Sequence, residues 1–180
     1  MKIFRLARKL LFKVRVVLAS ERDVAYLFDL GRIGERVRVV GTPQFGSEPF
    51  LVEIGDDTQI SSDVSFITHR FVGLAMRLKQ PNYRIYQRIR IGDRVSIGQR
   101  AIIMPGVTVG DDVIIGAMSL VSRDIPSGHV AVGAPARPIM TIQEFRDGVA
   151  ETPGFELPPG LSARSRKEAI IRGVDAAEHG

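Results

Sequence analysis

Every sixth residue from Ile91 onward is β-branched: Ile91, Ile97, Ile103, Val109, Ile115 and Val121. They head the consecutive hexads "IGDRVS IGQRAI IMPGVT VGDDVI IGAMSL VSRDIP". The fifth place of each hexad is again small or apolar: Val95, Ala101, Val107, Val113, Ser119 and Ile125. This period fits neither a helix nor an alternating strand. It fits a winding of three short strands per turn, in which the first residue of each hexad points into a narrow prism. Glycine or aspartate then takes the corners, where side chains would clash or φ is unusual. Successive turns stack at the inter-strand spacing of about 4.8 Å.

The same step recurs upstream. Ile54, Ile60 and Phe66 head "IGDDTQ ISSDVS FITH", and Ile33 and Val39 head "IGERVR VVGTPQ". Ile54 and Ile91 are separated by one residue more than a multiple of six, so the register is reset between them. This marks residues 70–90 as an inserted loop. Downstream, "VAVGAPARPI", Val130 to Ile139, closes the repeat before a proline-flanked exit. The expected organisation is an N-terminal basic amphipathic cap over 1–30, a repeat domain of about five coils over 31–140, and a helical and linker tail over 141–180.

The chain has 180 residues, 44% of them hydrophobic, enough for one sizeable core. No apolar run reaches the roughly 18 residues that would cross a bilayer, and the first twenty residues are too charged for a secretory core. A cytoplasmic protein is the expectation. The absence of cysteine excludes disulfides, a thiolate nucleophile and zinc-thiolate sites. The net charge of +5 is concentrated before residue 16, where Lys2, Arg5, Arg8, Lys9, Lys13 and Arg15 meet no acidic residue. The rest is close to neutral, and no nucleic-acid recognition spacing is present, so nucleic acid is set aside as a partner.

The hexads resemble the left-handed parallel β-helix of the hexapeptide-repeat acyltransferases, from about Ile33 to Phe145. The run "IGDRVSIGQRAIIMPGVTVGDDVIIGAMSLVSRDIPSGHVAVGAPARPI" resembles the second half of the sugar O-acetyltransferase branch. Within that branch "GTPQFGSEPFLVEIGDDTQISSDVSFITH" is similar to enzymes of surface-polysaccharide biosynthesis. The resemblance implies an all-β solenoid, a homotrimer, acetyl-CoA as acyl donor and a sugar or glycan acceptor in a groove between subunits. It carries the CoA contacts onto Gln99, Ala117, Ser122, Arg123 and Arg137. The family's catalytic base falls on the "TH" of Thr68-His69. One departure is Ser96, where many relatives have a tryptophan after the valine of "GDxVWIG".

His69 also stands out on position, since it ends a coil immediately before the large insertion, where a rigid scaffold presents its loops. A sugar hydroxyl is a poor nucleophile until its proton is accepted, and imidazole suits that task near neutral pH. His129, in a loop, and His179, in the tail, read as ordinary structural or surface residues. Zinc is not expected, although zinc-dependent γ-class carbonic anhydrases are relatives of this fold with three histidine ligands, because two of these three histidines sit in places with no metal spacing. Without cysteine, direct transfer in a ternary complex is favoured over an acyl-enzyme.

The insertion supplies acceptor-binding candidates in Tyr83, Arg84 and Tyr86, since aromatic faces stack on sugars and arginine holds phosphate or carboxylate. Glu48, in "GSEPF", is a candidate for orienting His69 or binding the acceptor. Residues 1–20 form a basic amphipathic helical pattern that suits either capping the coil or peripheral contact with an anionic membrane. The tail reads as a linker, "ETPGFELPPG", and a helix beginning near Ser162. Two rivals stand beside O-acetylation. One is N-acetylation of an amino sugar in the same groove, and the other is a non-catalytic scaffold.

Overall fold

The computed structural model describes residues 29–72, 83–152 and 154–179. The expected amphipathic helix over 1–20 and the centre of the insertion lie outside them. The chain divides into two compact units, Met1–Ile142 and Gln143–Gly180.

The first unit is built from short strands that visit three sheets in rotation. One sheet stacks β1 (Arg32–Ile33), β3 (Val52–Ile54), β8 (Ile89–Ile91) and β11 (Thr108–Val109). The second stacks β2 (Arg38–Val39), β4 (Gln59–Ile60), β9 (Ser96–Ile97), β12 (Ile114–Ile115) and β14 (His129–Gly133), and ends in β15 (Ala136–Thr141). The third stacks β5 (Ser65–Phe66), β10 (Ile102–Ile103) and β13 (Leu120–Val121). All these pairings are parallel except β14 with β15, which is antiparallel.

The register follows the hexads. Ile33, Ile54, Ile91 and Val109 align in the first sheet, and Val39, Ile60, Ile97, Ile115 and Ala131 in the second. Phe66, Ile103 and Val121 align in the third. These columns, with the fifth-place residues Val37, Val64, Val95, Ala101, Val107, Val113 and Ile125, form the core. Above Phe66, the ring of Phe45 stacks at 4.9 Å between centroids. Two polar side chains at fifth places are buried with partners. Thr58 Oγ1 donates to the Gly92 carbonyl (3.0 Å), and Ser119 Oγ accepts from Gly133 N (3.2 Å).

Corner chemistry is divided between neighbours in sequence. Gly34, Gly55, Gly92 and Gly110 lie between the first and second sheets, where the next winding passes too close for a side chain. A Cβ on Gly92 would stand 2.3 Å from Asp111 Oδ1. The positive φ angles belong instead to Arg36, Asp57, Arg94 and Asp112, two residues further on. Glycine therefore answers crowding at this corner, and the left-handed conformation is taken by charged residues that pair across windings. Arg36 forks onto Asp57 (2.7 and 2.7 Å) and Arg94 onto Asp112 (2.9 and 2.8 Å). Each pair's hydrogen bonding and charge raise the guanidinium and lower Asp57. A second ladder joins the windings, because Asp56, Asp93 and Asp111 each accept the backbone N–H of the preceding corner at 2.8 Å.

The insertion is not an irregular loop at its ends. β6 (His69–Phe71) pairs antiparallel with β7 (Arg84–Tyr86) to form an arm. The scaffold resumes in register, with Ile54 beside Ile91.

The second unit carries α1 (Ile142–Ala150), which begins at the end of the first unit, and α2 (Ala163–His179). Ser162 caps α2, its Oγ accepting from Ser165 N (3.2 Å). Gly173 lets the Phe155 ring lie against the helix, since a Cβ there would overlap it.

Candidate active site

His69 opens β6 where the chain leaves the third sheet, and the next winding fixes its base. Ile67 N donates to the Ile103 carbonyl (2.9 Å), Gln87 N to the Thr68 carbonyl (2.9 Å), and Arg70 Nη2 to the Pro105 carbonyl (3.2 Å). Pairing puts His69 opposite Tyr86 and Phe71 opposite Arg84. Alternation along a strand places these four on one face and Arg70 with Ile85 on the other.

The preceding winding brings in Glu48, just before a 3-10 turn at Pro49–Leu51. Its Oε2 lies 2.8 Å from His69 Nδ1 and accepts the Thr68 hydroxyl at 2.7 Å. Its Oε1 accepts the Ser47 hydroxyl at 2.7 Å. Burial pushes this carboxyl up, but the hydrogen bonds from Ser47, Thr68 and His69, with the charge of His69, outweigh burial and hold it below the ordinary glutamate value. A carboxylate can only accept, so Nδ1 carries the proton. In the neutral ring Nε2 is then the basic nitrogen. Only 14% of the Glu48 side chain and 23% of the His69 side chain are exposed, so water competes weakly for the pair. The imidazole is flanked by Phe71, edge-on at 5.4 Å, and by Tyr86 at 5.5 Å.

Of the residues singled out in the sequence, Glu48, His69 and Tyr86 converge here. Arg84 lies two pairs along, its guanidinium 4.2 Å over the Phe71 ring. Tyr83 is exposed just before the start of β7. Ser47, Thr68 as a donor, and Phe71 were missed. Phe71 had a signal, since a residue two places along a strand shares its face.

The five expected cofactor contacts fall on two edges of the winding. Ser122 and Arg123 are exposed just after β13, on the edge that His69 leaves. Gln99 and Ala117 stack on the edge before the third sheet, where Met118 N donates to the Gln99 carbonyl (2.8 Å). Arg137 pairs with Val132, which packs under Gly116 at that same edge. His129 is occupied locally, its Nδ1 donating to the Ser127 carbonyl (2.8 Å). His179 is the last residue of α2. Among the described residues no cluster of three His, Asp or Glu side chains could hold a metal ion, and no helix is long and apolar enough to cross a membrane.

Residues 88–123 match the family model "Bacterial transferase hexapeptide (six repeats)". The chain is 40% identical over 111 residues to Protein CapG of Staphylococcus aureus, a match that takes in 62% of this chain and 64% of CapG. It spans less than two thirds of the length of the curated relatives it first matches. Among solved structures, a maltose O-acetyltransferase from Clostridium difficile 630 superposes with a TM-score of 0.57 at 25% identity, over 76% of this chain and 85% of that one. A galactoside acetyltransferase in complex with coenzyme A superposes with a TM-score of 0.55 at 25% identity, over 86% of each.

Proposed function

We propose that the protein is an acetyl-CoA-dependent O-acetyltransferase acting on a sugar hydroxyl of a surface polysaccharide or its precursor. In this reading the winding is a left-handed β-helix of about five coils. The observation that carries it is the 2.8 Å contact between Glu48 Oε2 and His69 Nδ1, which leaves Nε2 as the acceptor for a hydroxyl proton. As the sugar oxygen bonds to the thioester carbonyl carbon, His69 takes its proton. The carbon–sulfur bond then breaks, and the proton passes to the departing sulfur. The transfer is direct, within a ternary complex. Similarity to a galactoside acetyltransferase solved with coenzyme A supports the donor.

The division of Gln99, Ala117 and Arg137 from His69, Ser122 and Arg123 supports a homotrimer. The two groups flank the third sheet, about 15 Å apart at ~3.3 Å per residue. A thioester beside His69 can meet the Gln99 edge if another subunit supplies it.

The test is release of free CoA from acetyl-CoA with a panel of glycans and amino-sugar nucleotides. His69→Ala should lower acceptor-dependent release by about 10²–10⁴-fold, the usual worth of a general base. Release that survives the substitution removes His69 from the mechanism. Turnover confined to amino sugars replaces O-acetylation with N-acetylation, and failure of the wild-type protein to bind acetyl-CoA favours the scaffold.

A further inference from the structure

Thr68 is 1% exposed, and the backbone that carries it is held from two sides. Ile67 N donates to the Ile103 carbonyl (2.9 Å), and the Thr68 carbonyl accepts from Gln87 N (2.9 Å). A β-branched side chain is stiff at χ1, so a fixed backbone also fixes where its hydroxyl points. That hydroxyl has a single proton to give, and the Glu48 carboxylate accepts it at 2.7 Å. The receiving oxygen is Oε2, the same atom that lies 2.8 Å from His69 Nδ1, whereas Oε1 is met by Ser47.

We propose that Thr68 is a positioning residue, whose hydroxyl pins Glu48 Oε2 against His69 and so fixes which imidazole nitrogen takes the acceptor's proton. The inference rests on the transferase reading for its effect on rate, and it adds a group that acts only through Glu48 and His69. Each carboxylate oxygen offers two acceptor positions. Thr68 fills one on Oε2 and leaves the other for the Nδ1 proton. Ser47 is exposed, so water can replace its donation to Oε1, but no water substitutes for the buried Thr68 hydroxyl. The last torsion of a glutamate is broad, and without that pin the carboxylate turns easily. Oε2 then leaves Nδ1, and the ring is no longer held with Nε2 unprotonated.

Thr68→Val keeps nearly the same buried shape without the hydroxyl, and Thr68→Ser keeps the hydroxyl without the methyl. NMR of the imidazole nitrogens in the full-length protein reads the tautomer directly at about pH 8, where an ordinary imidazole is neutral. His69 is assigned by the signals lost in His69→Ala. His129, whose Nδ1 donates to the Ser127 carbonyl, serves as an internal control for folding. The wild type should show His69 protonated on Nδ1. Thr68→Val should show both tautomers with His129 unchanged, and Thr68→Ser should return to the wild-type pattern. In CoA release, Thr68→Val should lower kcat about tenfold, the scale of one hydrogen bond to a charged group, with the KM for acetyl-CoA little changed. Thr68→Ser should recover most of that loss. A wild-type ring protonated on Nε2 overturns the proposal without any variant, as does a tautomer unaltered in Thr68→Val. A loss that Thr68→Ser fails to restore assigns the effect to packing and overturns it as well. The spectra decide on Thr68 even when the wild type releases no CoA, so a pinned tautomer without turnover sinks the transferase reading and leaves the pin.

Discussion

Glu48 accepts from three donors at once, and this decides what its neighbour can do. Glu48→Gln keeps the shape but lets an amide N–H face Nδ1, which shifts the ring proton to Nε2 and removes the proposed base. Acceptor-dependent kcat is expected to fall at least tenfold while the protein stays folded, measured by steady-state CoA release with circular dichroism as control. Stability carries a second signature. The folded carboxyl sits below its ordinary value of 4.5, so it stabilises the native state above that value and loses this contribution as pH falls through the folded value. Thermal melts between about pH 5 and pH 3 should show the wild type losing stability more steeply than Glu48→Gln. His69 was legible because it ends a repeat just before the register breaks. Glu48 was legible only as a candidate, since 21 residues separate it from the histidine and only the winding joins them. Thr68 entered only as the residue before His69 in the "TH" pair. Its role depends on a hydroxyl direction that no spacing encodes.

Strands and corners were readable to different depths. Six-residue periodicity is a direct record of three short sides per turn, so the aligned columns in all three sheets followed from counting. Corner conformation did not follow so simply, because glycine marks crowding while left-handed φ sits on Arg36, Asp57, Arg94 and Asp112. Two substitutions separate these effects. Gly92→Ala forces backbone of the next winding aside and should cost about 1–3 kcal/mol in chemical denaturation, as overpacking does. Gly148→Ala in α1 meets nothing within 4 Å and should stabilise its helix by up to about 1 kcal/mol. The antiparallel arm and the β14–β15 hairpin escaped the sequence reading, because neither follows the six-residue period that marks the scaffold strands.

At the scale of the molecule, one protomer's edges are complementary halves of a site in the proposed assembly. Light scattering should give three times the chain mass of 19.8 kDa. Mixing subunits is sharper. His69→Ala chains refolded with an equal amount of Arg137→Ala chains should recover activity at about a quarter of the sites, those pairing an intact His69 edge with an intact Arg137 edge. No recovery would place both edges of a site on one chain. The trimer came from a resemblance, whereas the separation of the edges required knowing which sheet each residue leaves. The antiparallel arm adds a consequence of another kind. Chain enters and leaves it at one corner, and the columns on either side align as if it were absent. Its length beyond His69 and Arg70 can thus change while the supporting stack stays unchanged. On the proposed function, a lineage built on this plan acquires new acceptors by exchanging the part of this cassette beyond His69, leaving the proposed donor-binding edges untouched.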